Sequence, residues 1–222
     1  YGLSDNNDYV AKNIHYVDST LVYDVYHKGV NIERVRLRVP GDHNVLNSLA
    51  AFIVAHDCCG VDTRVITKGL GKFIGAKRRF ETKGHVAGVW VVDDYAHHPS
   101  EICATLDAAR QKYPTKKIVA VFQPHTFTRT IALLDEFAKA LSLADDVYLC
   151  DIFASVREKS GNVSIEDLAA LVEGGATVLK LENVSPLLVY KDAVIVFMGA
   201  GDVQKFEFAY EQLLSSTSPT QN

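Results

Sequence analysis

Two short stretches carry the residue types that do chemistry, and each closes an apolar run. An apolar, β-branched run over 86–92 stops at Asp93-Asp94-Tyr95-Ala96-His97-His98-Pro99-Ser100. A second run over 117–122 stops at Gln123-Pro124-His125-Thr126-Phe127-Thr128-Arg129-Thr130. In open α/β sheets, ligands bind in the crevice at the carboxyl ends of the strands, so two such ends side by side would converge on one pocket. The two oxygens of a carboxylate can accept from vicinal hydroxyls, which makes Asp94 a candidate for holding a ribose. Arg129 can grip a carboxylate or phosphate at two points, beside His125. Tyr95 and His97 are placed to face the same crevice. Plainer readings compete. Asp93 and Asp94 also suit a turn and a helix cap, His98 suits a cap for the helix opened by Pro99, and Arg129 suits a solvated surface. A cation in a helix's first turn opposes the dipole, which weighs toward function for Arg129. Adjacent histidines just before a helix do not face one centre and no third ligand lies nearby, so no metal site is expected.

Two further motifs matter, one for what it holds and one for what it lacks. Asn44 and Asn47 fall one turn apart at the start of a helix over 43–59, where asparagine ordinarily caps or faces solvent. Gly199-Ala200-Gly201-Asp202 joins a strand to a helix, but a dinucleotide fingerprint would need glycine at 204, which is Gln204. NAD binding is therefore not expected; the loop would instead let backbone approach a small substrate. No Gly-x-x-x-x-Gly-Lys-[Ser/Thr] loop occurs among the 222 residues, and triphosphate with Mg²⁺ needs that cradle.

Composition narrows the class of protein. A formal charge of -4 without a basic cluster gives no reason to expect nucleic acid. No apolar run approaches the roughly 20 residues of a membrane helix, and the polar start is no signal peptide. Cys58, Cys59, Cys103 and Cys150 lack Cys-x-x-Cys spacing, so they read as buried free thiols of a cytoplasmic protein, the first two as fillers near a helix end.

The elements that must position these residues come in two blocks. Residues 1–40 read as β-rich, with strands over 21–27 and 30–39 joined by a hairpin turn at His27-Lys28-Gly29. Asp42 is a plausible N-cap for the helix that follows, and a short helix over 62–73 closes the block. The hairpin opens without a preceding core, as a fragment starting inside a domain would. A glycine-rich stretch over 69–75 sets the boundary, giving domains over 1–73 and 74–214. Strands over 86–92, 117–122, 147–150, 177–181 and 194–198 then alternate with helices over 100–112, 130–143, 164–173 and 202–214. That succession implies an α/β fold with a doubly wound, mostly parallel, Rossmann-like sheet. The Ser/Thr/Pro/Gln-rich tail over 215–222 is expected to be disordered.

Taken together, and in order, Pro40-Gly41-Asp42-His43-Asn44-Val45-Leu46-Asn47, Arg78-Arg79-Phe80-Glu81, Asp93 to Pro99, the Gln123 to Thr130 motif, Asp151-Ile152-Phe153-Ala154 and Gly199 to Asp202 resemble the C-terminal half of the Mur ligases, in their alanine-adding branch. The resemblance spans about residues 1–214. It implies the end of a central ATPase domain followed by the whole C-terminal domain. It also implies a full-length enzyme that joins L-alanine to UDP-N-acetylmuramate with ATP and Mg²⁺, through an acyl phosphate, in peptidoglycan synthesis. By that resemblance His43, Asn44 and Asn47 meet the adenine, Arg79 the nucleotide phosphates and Asp94 the ribose. Tyr95, His97, His125, Arg129, Gly199 and Gly201 serve the amino acid and acyl phosphate. The family's commonest form has arginine where this chain has Thr126, which leaves one anion contact unassigned. The catalytic lysine and P-loop belong to N-terminal domains of the same polypeptide that this sequence lacks, so the chain alone is expected to be inactive and to hold no cofactor tightly. A ligase that adds a recycled tripeptide to the same muramate, and a non-catalytic binding module, are the rival readings.

Overall fold

The computed structural model describes residues 1–18, 20–155, 158 and 160–217, and the chain divides into two compact units, Tyr1–Ala76 and Lys77–Asn222. In the first unit, strands β1 (Tyr9–Val17), β2 (Thr20–His27) and β3 (Val30–Leu37) form an antiparallel sheet in that order. The β2–β3 turn falls at the expected place, with Lys28 at φ 49 and Gly29 at φ 81, the paired left-handed conformation that matches the twist of a tight hairpin. Strand β1 was not expected. Helices α1 (Asp42–Ile53) and α2 (Thr63–Leu70) cover one face of the sheet, burying Leu21, Tyr23, Leu37, Leu49, Phe52 and Ile66.

Helix α1 departs from expectation at both ends. Gly41, at φ 93, takes the cap position without a side-chain bond, and Asp42 is the first helical residue rather than the cap. The helix stops at Ile53 and loosens into a π-turn over Val54–Cys58. Cys58 and Cys59 are consequently exposed, not buried fillers, and Cys103 is only partly buried; among the four free thiols Cys150 alone is buried. Asp62 caps α2 by accepting from the Arg64 amide at 2.9 Å.

The second unit is built on a six-stranded sheet. Strand β4 (Glu81–Val86) pairs antiparallel with β5 (Val89–Asp94); after helix α3 (Pro99–Lys112) come β6 (Lys117–Phe122), α4 (Phe127–Ala132), α5 (Leu134–Leu141), β7 (Asp146–Leu149), α6 (Ile165–Leu171), β8 (Thr177–Val178), β9 (Ala193–Met198) and α7 (Gln204–Thr217). The strand order is β4-β5-β9-β6-β7-β8, parallel from β5 onward. The doubly wound α/β expectation therefore holds, with one antiparallel edge strand added.

Both faces of the central strands are covered, which explains their unbroken apolar runs. Along β6, Ile118, Ala120 and Phe122 face the core shared with α3, α5 and α6, while Val119 and Val121 face that of α7. Strand β9 alternates in the same way, with Val194, Val196 and Met198 on the first side and Ile195 and Phe197 on the second.

Several boundaries differ from the sequence reading for local reasons. The run over 86–92 is a hairpin rather than one strand. Ala87 and Gly88 turn it at φ 52 and 84, and a Cβ at Gly88 would overlap the Lys191 carbonyl oxygen. Trp90 on β5 stacks on His85 of β4 at 4.4 Å. The helix expected over 130–143 is broken at Leu133, whose φ of -124 leaves the helical range. Ser164 and Asp167 form the expected capping box at the start of α6. Helix α7 runs to Thr217, three residues into the stretch read as a tail; residues 218–222 lie outside those described.

Candidate functional site

The strand register brings four loops of the second unit to one edge. Met198, the last residue of β9, is flanked by Asp94 ending β5 and Phe122 ending β6, and Phe122 in turn pairs with Leu149 ending β7. The two chemistry-bearing strands are thus not neighbours, contrary to the side-by-side expectation. Strand β9 is inserted between them, and its Gly199–Asp202 loop shares their edge.

Inserting β9 explains the glycines. A Cβ at Gly199 would stand 2.8 Å from the Gln123 carbonyl oxygen, and one at Gly201 would meet Gln123 Oε1 at 2.5 Å and Phe153 Cγ at 2.6 Å. Real Cβ atoms do not approach so closely, so both glycines are required by packing between loops rather than by open space for a substrate. Gln123 Nε2 then donates to Asp202 at 2.8 Å, tying the loop after β6 to the start of α7.

Asp94 is braced in a way the sequence does not show. It is 6% exposed, and its carboxylate accepts from the Phe80 amide at 2.6 Å and the Ala96 amide at 2.7 Å. Both oxygens are already engaged by the chain's own backbone, so here Asp94 anchors the linker over 77–80, just before β4, and the loop after β5. Burial raises its pKa, against those two hydrogen bonds. Asp93 points to the opposite face, accepting from Gln204 at 2.8 Å.

The two linker arginines divide their work. Arg78, at φ 57, donates through Nη2 to the Gly199 carbonyl at 2.6 Å, lies 3.6 Å from Asp93 through Nε, and covers the Tyr95 ring at 4.8 Å. Arg79 meets the same ring at 5.5 Å. Arg78, which the sequence reading placed in a motif without giving it a role, is therefore the structural member. Its signal was the buried Asp93, an acid needing a cation.

Beyond the brace lie the polar groups of the crevice. His97 Nδ1 donates to the Tyr95 carbonyl at 2.9 Å and sits 3.2 Å from the Glu101 carboxylate. His98 caps α3 instead, its Nδ1 accepting from the Ser100 amide at 3.3 Å. His125 stacks on Phe153 at 5.6 Å. Burial, then the charges of Arg129 and His97, hold its pKa below the usual imidazole range despite Glu158. His125 Nδ1 and Arg129 Nη1 are both buried and unpartnered among the described residues. Glu158, which the sequence reading missed, accepts from the amide of Thr128 at 3.2 Å and from its hydroxyl.

Thr126 stands between His125 and α4 at φ 69 and ψ 140, a region that β-branched residues rarely enter. Its amide donates to the Phe153 carbonyl at 3.0 Å, and its own carbonyl accepts from the Thr130 hydroxyl at 2.7 Å. Pinned on both sides, the peptide fixes the start of α4, which carries Arg129, next to His125.

The first unit has its own pocket, of about 270 Å³, lined by Leu37, Val39, Asn44, Asn47, Leu70 and Phe73 among others. Its walls are mostly apolar, with two amides. Asn44 Nδ2 donates to the Pro40 carbonyl at 2.7 Å. His43 is exposed and does not line this pocket.

A family model described as "Mur ligase, glutamate ligase domain" matches residues 78–201, more than half of the chain. The chain belongs to the Mur ligase family. Among curated relatives, the UDP-N-acetylmuramate–L-alanine ligases of Ligilactobacillus salivarius and Levilactobacillus brevis are each 54% identical over all 222 residues, which span 50% of each relative. This Mur ligase chain thus spans about half the length of the curated relatives it matches. Among solved structures, the UDP-N-acetylmuramate-alanine ligase of Thermotoga maritima is similar at a TM-score of 0.79 and 31% identity, over 96% of this chain and 47% of that one. The murein peptide ligase of Psychrobacter arcticus is similar at 0.56 and 25%, over 97% and 45%.

Proposed function

We propose that this Mur ligase chain is the C-terminal half of a cytoplasmic, ATP-dependent ligase that joins L-alanine to UDP-N-acetylmuramate in peptidoglycan synthesis. The observation that carries it is the gathering of Tyr95, His97, His125 and Arg129 at one sheet edge, with a buried guanidinium nitrogen and a buried imidazole nitrogen left unpartnered. A site built to receive an anion has that form. Arg129 grips the acyl phosphate or the muramate carboxylate at two points, and His125, held neutral, offers a ring nitrogen without adding a second fixed charge. The relatives named for alanine favour that amino acid over the recycled tripeptide.

Each unit offers the nucleotide a contact of its own. The apolar pocket with Asn44 and Asn47 suits a flat base, and Arg79 is the linker cation left for its phosphates, Arg78 being committed. Asp94 is better suited to hold the linker than to hold a ribose. ATP supplies the phosphoryl group that activates the muramate carboxylate. Among the described residues no group of three or more His, Cys, Asp or Glu could hold a metal ion, and no P-loop occurs in the sequence. We therefore assign the triphosphate cradle and Mg²⁺ to the half of the relatives that this chain does not span.

The test uses a full-length alanine ligase containing this chain, with Arg129→Ala and Arg129→Lys. Loss of a charge-assisted contact is worth about 1.5–3 kcal/mol, or about 10- to 150-fold in rate. The kcat/KM for muramate and for alanine should fall by that factor, with the ATP term spared. Lysine should not rescue, because an ammonium lacks the planar fork. Unchanged kcat/KM for both substrates refutes the assignment.

A further inference from the structure

Cys58 and Cys59 have no part in the reaction proposed above. They are adjacent, free and exposed at the end of the π-turn that follows α1. The backbone beneath them is held: the Cys59 amide donates to the Val54 carbonyl at 3.2 Å, and the Gly60 amide to the His56 carbonyl at 3.1 Å. Gly60, at φ 65, then turns the chain away. With no third ligand to close a tetrahedral site among the described residues, the pair offers two sulfurs on a fixed base and nothing more.

Two sulfurs on neighbouring residues are ill suited to bond to each other. Adjacent Cα atoms stand about 3.8 Å apart, short of the roughly 4.4–6.8 Å over which disulfides ordinarily form. A thiophilic centre between them removes that constraint. With bonds to sulfur of about 2.3 Å on each side, the sulfurs stand well beyond the disulfide length of about 2.05 Å. Thiolates select soft centres. A trivalent arsenic that already carries one carbon substituent asks for two sulfurs and no further ligand.

We propose that Cys58 and Cys59 form a two-sulfur capture site for soft thiophiles of the monosubstituted trivalent arsenical class. An arsenoxide and two thiols give a dithioarsenite and one water. The arsenic–oxygen bond and two S–H bonds break, two As–S bonds form, and the oxygen leaves with both protons. No oxidation state changes and no oxidant is required. Once the first sulfur has bonded, the second adds within the same chain, which raises the overall affinity by about 10²–10⁴ over one thiol.

Phenylarsine oxide is the probe, titrated against the native chain and followed by intact mass and by counting thiols with a chromogenic disulfide. One phenylarsenic per chain should bind and remove two fast-reacting thiols. The adduct should map to the peptide holding Cys58 and Cys59, survive excess 2-mercaptoethanol and reverse with a dithiol. Cys58→Ser and Cys59→Ser should each weaken binding at least about 100-fold. Both positions are exposed, so the variants keep the fold, and their circular dichroism should match the unaltered chain. Cys103→Ser should bind as the unaltered chain does. Single-serine variants that bind as tightly as the unaltered chain, an adduct on Cys103 or Cys150, or displacement by the monothiol would overturn the proposal.

Discussion

Replacing Asp94 with alanine separates holding the chain from holding a ligand. The carboxylate is buried and accepts two backbone amides, from Phe80 and Ala96. Alanine leaves both donors inside the protein without an acceptor, at about 1–3 kcal/mol each. Phe80 sits at φ 47, and its release from that left-handed conformation returns about 1–2 kcal/mol. The net loss is then centred on about 2.5 kcal/mol. In urea unfolding, with a slope of about 2 kcal/mol per molar, the midpoint of the second unit should fall by about 1–2 M. Asparagine should recover at most half of that. Its single carbonyl oxygen serves one amide, while its NH₂ faces the other donor. A midpoint for Asp94→Ala within about 0.2 M of the unaltered chain would refute the brace. Such a variant losing ATP affinity alone in the full-length ligase would restore the ribose role.

Two further outcomes follow from the same unit. Burial, then the Asp93 charge, push Glu207 on α7 up to about 7 from 4.5, with Glu211 and Glu81 adding to the shift and Lys83 opposing it. Between those values the folded state holds a proton that the unfolded chain has released, so stability falls as pH rises through that window. Glu207→Gln should remove roughly 1–3 kcal/mol of that slope, read as thermal midpoints from pH 5 to 8; an unchanged slope counts against it. Thr126→Gly relieves a backbone that only glycine enters freely, and should raise the thermal midpoint by about 2–4 °C in calorimetry. A lower midpoint would mean that the threonine side chain stabilises its own conformation.

The βα alternation of the second unit was legible because its central strands are covered on both faces and so read as unbroken apolar runs. The same property hid the hairpin at Ala87-Gly88, where apolar residues continue through the turn. Strand β1 went unread because Lys12, Asn13 and His15 interrupt its apolar pattern, and Asn13 marks an irregularity in its pairing with β2. At the candidate site, the polar strand ends were visible from residue type alone. What they do was not. That Arg78 is committed where Arg79 is not, and that Gly199 and Gly201 yield space to Gln123 and Phe153, follow from inserting the last strand between the first two parallel ones, while Asp94 spends both oxygens on backbone that flanks the β4–β5 pair. Topology of that kind leaves no trace in local spacing. The exposure of Cys58 and Cys59 likewise depends on where α1 loosens, which apolar periodicity does not mark.

Trp90 is the chain's single tryptophan, and it lies in the second unit, stacked on His85 and 5.5 Å from Tyr113. Its emission is therefore a private signal of that unit, blind to the first, whose aromatic residues are tyrosine, phenylalanine and histidine. Far-ultraviolet ellipticity sums both units. Recording the two spectroscopies on one sample turns a single melting experiment into two, without a label or an added mutation.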